Sequence, residues 1–344
     1  MNAAAPIQLR TTARGTQVAY RRADLEPLLR GMPAERALAL LPRLLPVCGE
    51  AQRSAAQRAL AAACDEAPGA DAAAEQDLRL LREQAQAAAW RLFVDWPRWQ
   101  RRGPQLHRVR ELKSASDAAL AAALRRVLPA CGADGLDDAL SALDAAAGPA
   151  GAFLRAARDL QWPAPVDVPL LAGEALGERA LQWLSPATPG TPERGGAAIV
   201  GPLAMCRHRL LPRLAGRRDR PLVARLLLAQ WLDMLAIADA LERRVPPPAP
   251  QRPWRALGAG RGLGTAVTAR GPLFHVVALD DARRVRSWRY LAPTDWYFAP
   301  GGPVAAAAAA VSEARKLRLL LAAADPCAAC ELRGDEGDPP AEAA

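Results

Sequence analysis

The sequence runs to 344 residues, 51% of them hydrophobic, with a formal charge of +9, so it has the length and apolar content to bury a sizeable core and is not a disordered chain. It contains no window of about 20 uncharged apolar residues and no signal-peptide pattern near Met1, so neither a membrane span nor secretion is predicted and the expected location is cytoplasmic. The basic charge is nearly all arginine, with Lys113 and Lys316 the only lysines, and it is interleaved with Asp and Glu along the chain, which argues against nucleic acid as a partner.

In chain order, residues 1–24 are polar, with an extended piece at Thr16 to Tyr20. A short helix is predicted from Leu25 to Leu29, ended by Gly31 and Pro33. A broader apolar helix follows from Pro33 to Cys48, kinked at Pro42 and Pro46. Ala51 to Cys64 resumes a helical pattern, and Asp65 to Glu75 is a loop. Gln76 to Asp95 is a long helix that Trp96-Pro97 terminates. Further helices are predicted at Ser116–Val127, Leu136–Ala147, Ala152–Leu160, Leu176–Leu184, Leu203–Leu211 and Pro221–Leu241. Ser185 to Gly196 is a Pro/Gly/Thr-rich surface loop. Pro246 to Pro253 is a semi-rigid linker. Leu273–Leu279 and Arg284–Leu291 are strands joined by a turn at Asp280-Asp281, and Ala305–Ala324 is helical again.

The fold class is mainly α (α+β), one domain over 1–344. Residues 1–245 form a helical body, 254–333 carry a small β element and a helix, and 334–344 are a disordered tail.

The chemistry concentrates at Asp325-Pro326-Cys327-Ala328-Ala329-Cys330. Two thiols three residues apart can share one metal ion or close a redox-active disulfide. In the expected compartment the six cysteines (Cys48, Cys64, Cys131, Cys206, Cys327, Cys330) are reduced thiols. A zinc ribbon is disfavoured, because no second Cys-x-x-Cys exists. Cys206 and His208 fall on a predicted helix, where i and i+2 point apart and cannot chelate. Cys64 and Cys131 are core fillers, and His107 is solvated. Gly258-Ala259-Gly260-Arg261-Gly262 lacks the strand-to-helix setting of a phosphate loop.

Three blocks then stand in one order: Ala269-Arg270-Gly271-Pro272-Leu273-Phe274-His275, Tyr290-Leu291-Ala292-Pro293-Thr294-Asp295-Trp296, and the Asp325–Cys330 motif. With Leu28–Pro33 and Pro46-Val47-Cys48-Gly49-Glu50-Ala51 near the start, the chain resembles the large subunits of nickel-iron hydrogenases. The resemblance covers both ends, and the middle is similar in helical character.

The departures matter as much. The family has a second cysteine where this chain has Ala51, and a histidine at Ala55. Ala269 replaces a proline, and Arg333 stands at the histidine where maturation cleavage occurs. Glu26 lies near a proton-relay glutamate, although a solvated helix residue is the reading its own setting favours.

The resemblance implies that Arg270, Pro293 and Thr294 cradle the cyanide ligands of an Fe(CN)2CO unit, and that Cys330 matches the iron-bridging thiolate. Cys327, Cys330 and Cys48 are the metal ligands it implies. A four-thiolate bimetallic site cannot form, so nickel is not expected and no enzyme activity is predicted. The reduced set is similar to the HupK/HoxV type of hydrogenase-maturation scaffold. Implied partners are maturation chaperones of the HypC and HypD type and the hydrogenase large-subunit precursor. A divergent hydrogenase subunit and a purely structural assembly protein are the alternatives.

Overall fold

Two strands open the chain, β1 (Ile7–Thr12) and β2 (Gly15–Tyr20), paired antiparallel. The computed structural model describes residues 6–12, 15–66, 70–132, 134–163, 166–184, 197–247 and 253–334. The predicted Ser185–Gly196 loop, most of the Pro246–Pro253 linker and nearly all of the 334–344 tail lie outside these residues.

A second sheet follows late in the sequence, with strands β3 (Trp254–Gly258), β4 (Arg261–Thr268), β5 (Gly271–Leu279) and β6 (Val285–Leu291) in the order 3-4-5-6. The last strand, β7 (Cys330–Arg333), returns to the first sheet and runs parallel to β1, placing Ile7 opposite Cys330 and Leu9 opposite Leu332. The architecture is therefore α+β: about 55% of the described residues are helical and 16% are in strands. The β content exceeds the single small element expected. β1, β3, β4 and β7 escaped the sequence pattern because each is short or is buried on both faces, which erases the polar–apolar alternation of a half-exposed strand.

Among the helices, Leu222–Arg243 is buried nearly all round and forms the axis of the larger apolar cluster. The smaller cluster lies where the helix Gly49–Ala63 crosses the second sheet. Gly262 and Gly264 of β4 make that crossing possible. A Cβ on Gly264 would stand 2.0 Å from the Ala55 carbonyl oxygen, and one on Gly262 would stand 2.1 Å from that of Ala59. The facing helix answers with Ala51, Ala55, Ala56 and Ala59, all buried in that cluster.

Several helix boundaries differ from expectation. The helix Ala34–Leu44 contains Pro42 but stops before Pro46. The helix Ala70–Trp90 starts inside the predicted 65–75 loop and runs on through a π-turn, Arg91–Asp95, into Trp96–Trp99. Pro97 does not end it. Proline cannot supply the N–H that the Phe93 carbonyl would accept, and the Gln105 N–H takes that place at 2.7 Å. Leu106–Ser114 is a helix without buried residues, so it left no periodic signal. The expected 203–211 helix breaks at Cys206, which is left-handed (φ 53°), into Pro202–Met205 and Leu211–Gly216. The expected 305–324 helix divides into Pro303–Ala308 and Ala314–Ala324. The turn at Asp280 forms as predicted, its carboxylate accepting from the Ala282 and Arg284 N–H groups at 3.0 and 2.8 Å. Among the described residues no helix is long and apolar enough to cross a membrane.

Candidate functional site

Cys48 sits at a reversal between two helices. Pro46 stops the first helix, and Cys48 takes a left-handed conformation (φ 58°) as the residue that precedes Gly49–Ala63. That conformation costs a residue with a Cβ roughly 1 kcal/mol or more, the kind of local strain that collects at functional positions. The N–H groups of Glu50 and Ala51 then need acceptors, because no preceding turn supplies them. Glu83, from the neighbouring helix, accepts both at 2.8 and 3.0 Å. Its burial pushes the Glu83 carboxyl up, and these two hydrogen bonds oppose the shift.

The helix Ala314–Ala324 ends on Asp325, also left-handed (φ 46°). A glycine would fit that backbone more easily. The carboxylate is what the position needs. Arg91 Nε donates to Asp325 Oδ2 at 2.7 Å, Arg270 Nη2 to Oδ1 at 3.1 Å, and Arg270 Nε to the Asp325 backbone oxygen at 2.9 Å. Arg91 Nη2 also reaches the Ala269 carbonyl at 3.1 Å. Two arginines thus fix one carboxylate and, through it, the turn into Pro326-Cys327. The Cys327 N–H donates to Thr294 Oγ1 at 3.1 Å, which anchors the turn from the other side.

These constraints bring Cys48 Sγ and Cys327 Sγ to 3.8 Å, with Arg270 Nη1 3.4 Å from Cys48. The hydrogen bond from Cys48 and the Arg270 charge draw the Cys327 thiol down, while the same bond and burial hold Cys48 up. The two sulfurs are in hydrogen-bonding contact, and either can be the donor. Arg270 has five N–H groups, and its three named contacts leave one on each terminal nitrogen.

The sequence motif pairs Cys327 with Cys330, but the structure pairs Cys327 with Cys48. Cys330 is the first residue of β7, its sulfur is turned to the Ala328 carbonyl at 3.5 Å, and burial pushes its thiol up to about 12. Pro293 opens the buried short helix Pro293–Tyr297, and so places Thr294 beneath the cysteine turn. Among the described residues no group of three or more His, Cys, Asp or Glu side chains converges to hold a metal.

The remaining candidates fall elsewhere. His275 is fully buried, takes a hydrogen bond from Trp288 Nε1 on Nδ1 at 2.9 Å and meets Gln52 at 2.8 Å through Nε2; burial lowers it to about 3, so it is neutral. Cys206 and His208 are not on one helix, contrary to expectation. The sulfur bonds the Leu203 carbonyl, and the ring accepts the Leu210 N–H. Cys64 and Cys131 pack at the edges of the two clusters, and His107 is exposed. Glu26 is not solvated: its side chain is 14% exposed and ion-paired with Arg30 and Arg289.

Sequence reasoning missed Arg91, Glu83 and Asp95. Arg91 is 2% exposed, and an arginine inside the run Ala88-Ala89-Trp90-Arg91-Leu92-Phe93-Val94 was the available signal, because such a charge is buried only when paired. Asp95, one π-turn on, is raised to about 6 by burial and by the nearby Asp325 charge. A cavity of about 10 Å³ is lined by Arg91, Gln230 and Asp325 among others. Arg91 Nη1 and Gln230 Oε1 have no partner among the described residues, and the space suits one bridging water.

No protein-family model matches the chain. Curated relatives do. The chain is 33% identical over 335 residues to the hydrogenase expression/formation protein HupK of Azotobacter vinelandii, covering 90% of this chain and 91% of that one. It is 32% identical to HoxV of Cupriavidus necator, with 88% of each covered. Its fold is similar to that of an NAD+-reducing NiFe hydrogenase chain (TM-score 0.58, 15% identity, 91% and 92% covered). A NiFeSe hydrogenase from Dm. baculatum gives a TM-score of 0.55 at 12% identity, with 91% and 93% covered. The likeness to hydrogenase expression/formation proteins thus runs over nearly the whole chain, which belongs to the hydrogenase expression/formation protein family of HupK, HupV and HoxV.

Proposed function

We propose that this chain is a non-enzymatic hydrogenase maturation protein that carries the Fe(CN)2CO unit as cargo and passes it to the hydrogenase large-subunit precursor. The observation that carries the reading is the apposition of Cys48 and Cys327 at 3.8 Å beside Arg270. Two metal–sulfur bonds of ~2.3 Å span ~3.3 Å at a right angle and ~3.8 Å at the tetrahedral angle. The pair therefore fits one metal ion with little closure. In this reading the remaining Arg270 N–H groups and the Thr294 hydroxyl would donate to cyanide nitrogens, where charge-assisted bonds are strongest.

Two sulfurs hold less firmly than four. Ala51 and Ala55 lie in the apolar cluster, so those positions offer hydrocarbon where a resident metal would need ligands. Weak retention suits transfer. In this reading, chaperones of the HypC and HypD type supply the cargo, nickel is not bound, and Cys330 stays in reserve on β7.

Infrared spectra of the anaerobically purified chain, produced with the maturation machinery, test this. Cyanide and CO stretching bands are expected, lost in Cys327→Ser and in Cys48→Ser and weakened less by Cys330→Ser. A wild-type chain without bands overturns the reading.

A further inference from the structure

We infer that Cys48 and Cys327 close to a disulfide by thiol–disulfide exchange, an oxidised state in which neither sulfur is available to a metal. The sulfurs are 3.8 Å apart, so closure needs a movement of ~1.8 Å to reach a normal S–S bond. Neither residue is inside a regular element that resists it. Cys48 lies in the reversal before Gly49, and Cys327 lies in the bend between the helix Ala314–Ala324 and β7. Both residues are intermediate in exposure. Arg270 Nη1 sits 3.4 Å from Cys48 Sγ, and the start of the Gly49–Ala63 helix adjoins it, the electropositive setting that makes cysteines reactive.

The competing bond is the one the sequence suggests, between Cys327 and Cys330. It is disfavoured here. Cys330 is paired in register with Ile7 on β1, and its sulfur is turned to the Ala328 carbonyl. Joining it to Cys327 requires that sulfur to turn away from the Ala328 carbonyl.

The chemistry balances with a disulfide as oxidant, such as glutathione disulfide. The Cys327 sulfur attacks one sulfur of the reagent. A mixed S–S bond forms, the reagent's own S–S bond breaks, and one thiol departs with the proton that Cys327 gives up. The Cys48 sulfur then attacks Cys327 and expels the second thiol. The protein loses two hydrogens with two electrons, and the reagent gains both. The bond itself stands on geometry alone; its effect on cargo rests on the carrier reading above.

The test is made on the full-length chain, reduced anaerobically and equilibrated in graded glutathione redox buffers. After thiol blocking, digestion and mass spectrometry, a cross-linked Cys48–Cys327 peptide is expected, titrating as one two-electron couple. Cys330→Ser keeps the cross-link. Cys48→Ser leaves Cys327 as a mixed disulfide with glutathione. A Cys327–Cys330 bond in the wild type, or two reduced thiols at the oxidising end, overturns the inference. Infrared spectra of reduced and oxidised chains exposed to the maturation machinery form the second arm. Bands confined to the reduced chain, and restored by reductant, support the gating. Bands retained by the oxidised chain overturn it. A cross-link in a chain that shows no bands in either state supports the disulfide and removes the carrier reading.

Discussion

Asp95 stands close to a second carboxylate, Asp325, and is raised to about 6. A carboxyl whose folded value exceeds its ordinary one near 3.8 binds its proton more tightly in the native state. Ionising it therefore costs stability as pH rises from about 4 to 6, and above that range the cost is complete. Asp95→Asn is expected to raise the unfolding free energy by about 1–3 kcal/mol at pH 7.5 and to change nothing at pH 4, read from urea melts at both pH values. Arg91 is the opposite case. It is buried and bound to Asp325, so Arg91→Leu is expected to cost about 3 kcal/mol, the lower end for a broken buried pair because Arg270 still holds the carboxylate. Arg91→Leu combined with Asp325→Asn recovers part of that loss. At this scale, the residues carried by local motifs were legible as neighbours: Cys48, Arg270, Thr294 and Cys327 are linked by direct contacts. Arg91 and Glu83 were not, because their roles arise from a partner distant in sequence, and no local pattern encodes which carboxylate or helix end a buried charge will meet.

The helix Gly49–Ala63 is positioned by what its neighbours omit. Because β4 has no Cβ at Gly264, the helix backbone approaches the sheet closely, and Cys48, at its head, meets Cys327. Gly264→Ala sets a methyl group 2.0 Å from the Ala55 carbonyl, and the helix must move away. The expected loss is about 2–3 kcal/mol. The same shift should separate Cys48 from Cys327 and abolish the cross-link in oxidising buffer even where the variant stays folded. Helices with an apolar stripe and an N-cap were legible from pattern, as with Asp117–Val127, where Ser116 accepts the Ala119 N–H at 3.2 Å. The π-turn at Arg91–Asp95 was not, since it depends on the Gln105 N–H filling the vacancy that Pro97 leaves.

Across the whole molecule, the β2-β1-β7 sheet joins the first described strand to the last. Ile7 and Leu9 are fully buried, and β7 has β1 as its partner in that sheet. Leu9→Ala is expected to cost about 2–5 kcal/mol, with faster amide exchange over residues 330–333 as β7 loosens, measured by hydrogen–deuterium exchange. A parallel pairing between chain ends has no signature in either segment alone, so the α+β character was under-read.

The two sulfurs lie 279 positions apart in sequence. During synthesis, Cys48 emerges with its helix but has no counterpart until Cys327 follows, which at about 5–20 residues per second takes roughly 15–55 s. For that interval the Cys48 thiol has no Cys327 sulfur to face. The sulfur pair therefore forms only once translation has passed Cys327, and a chain truncated before that residue lacks half of it.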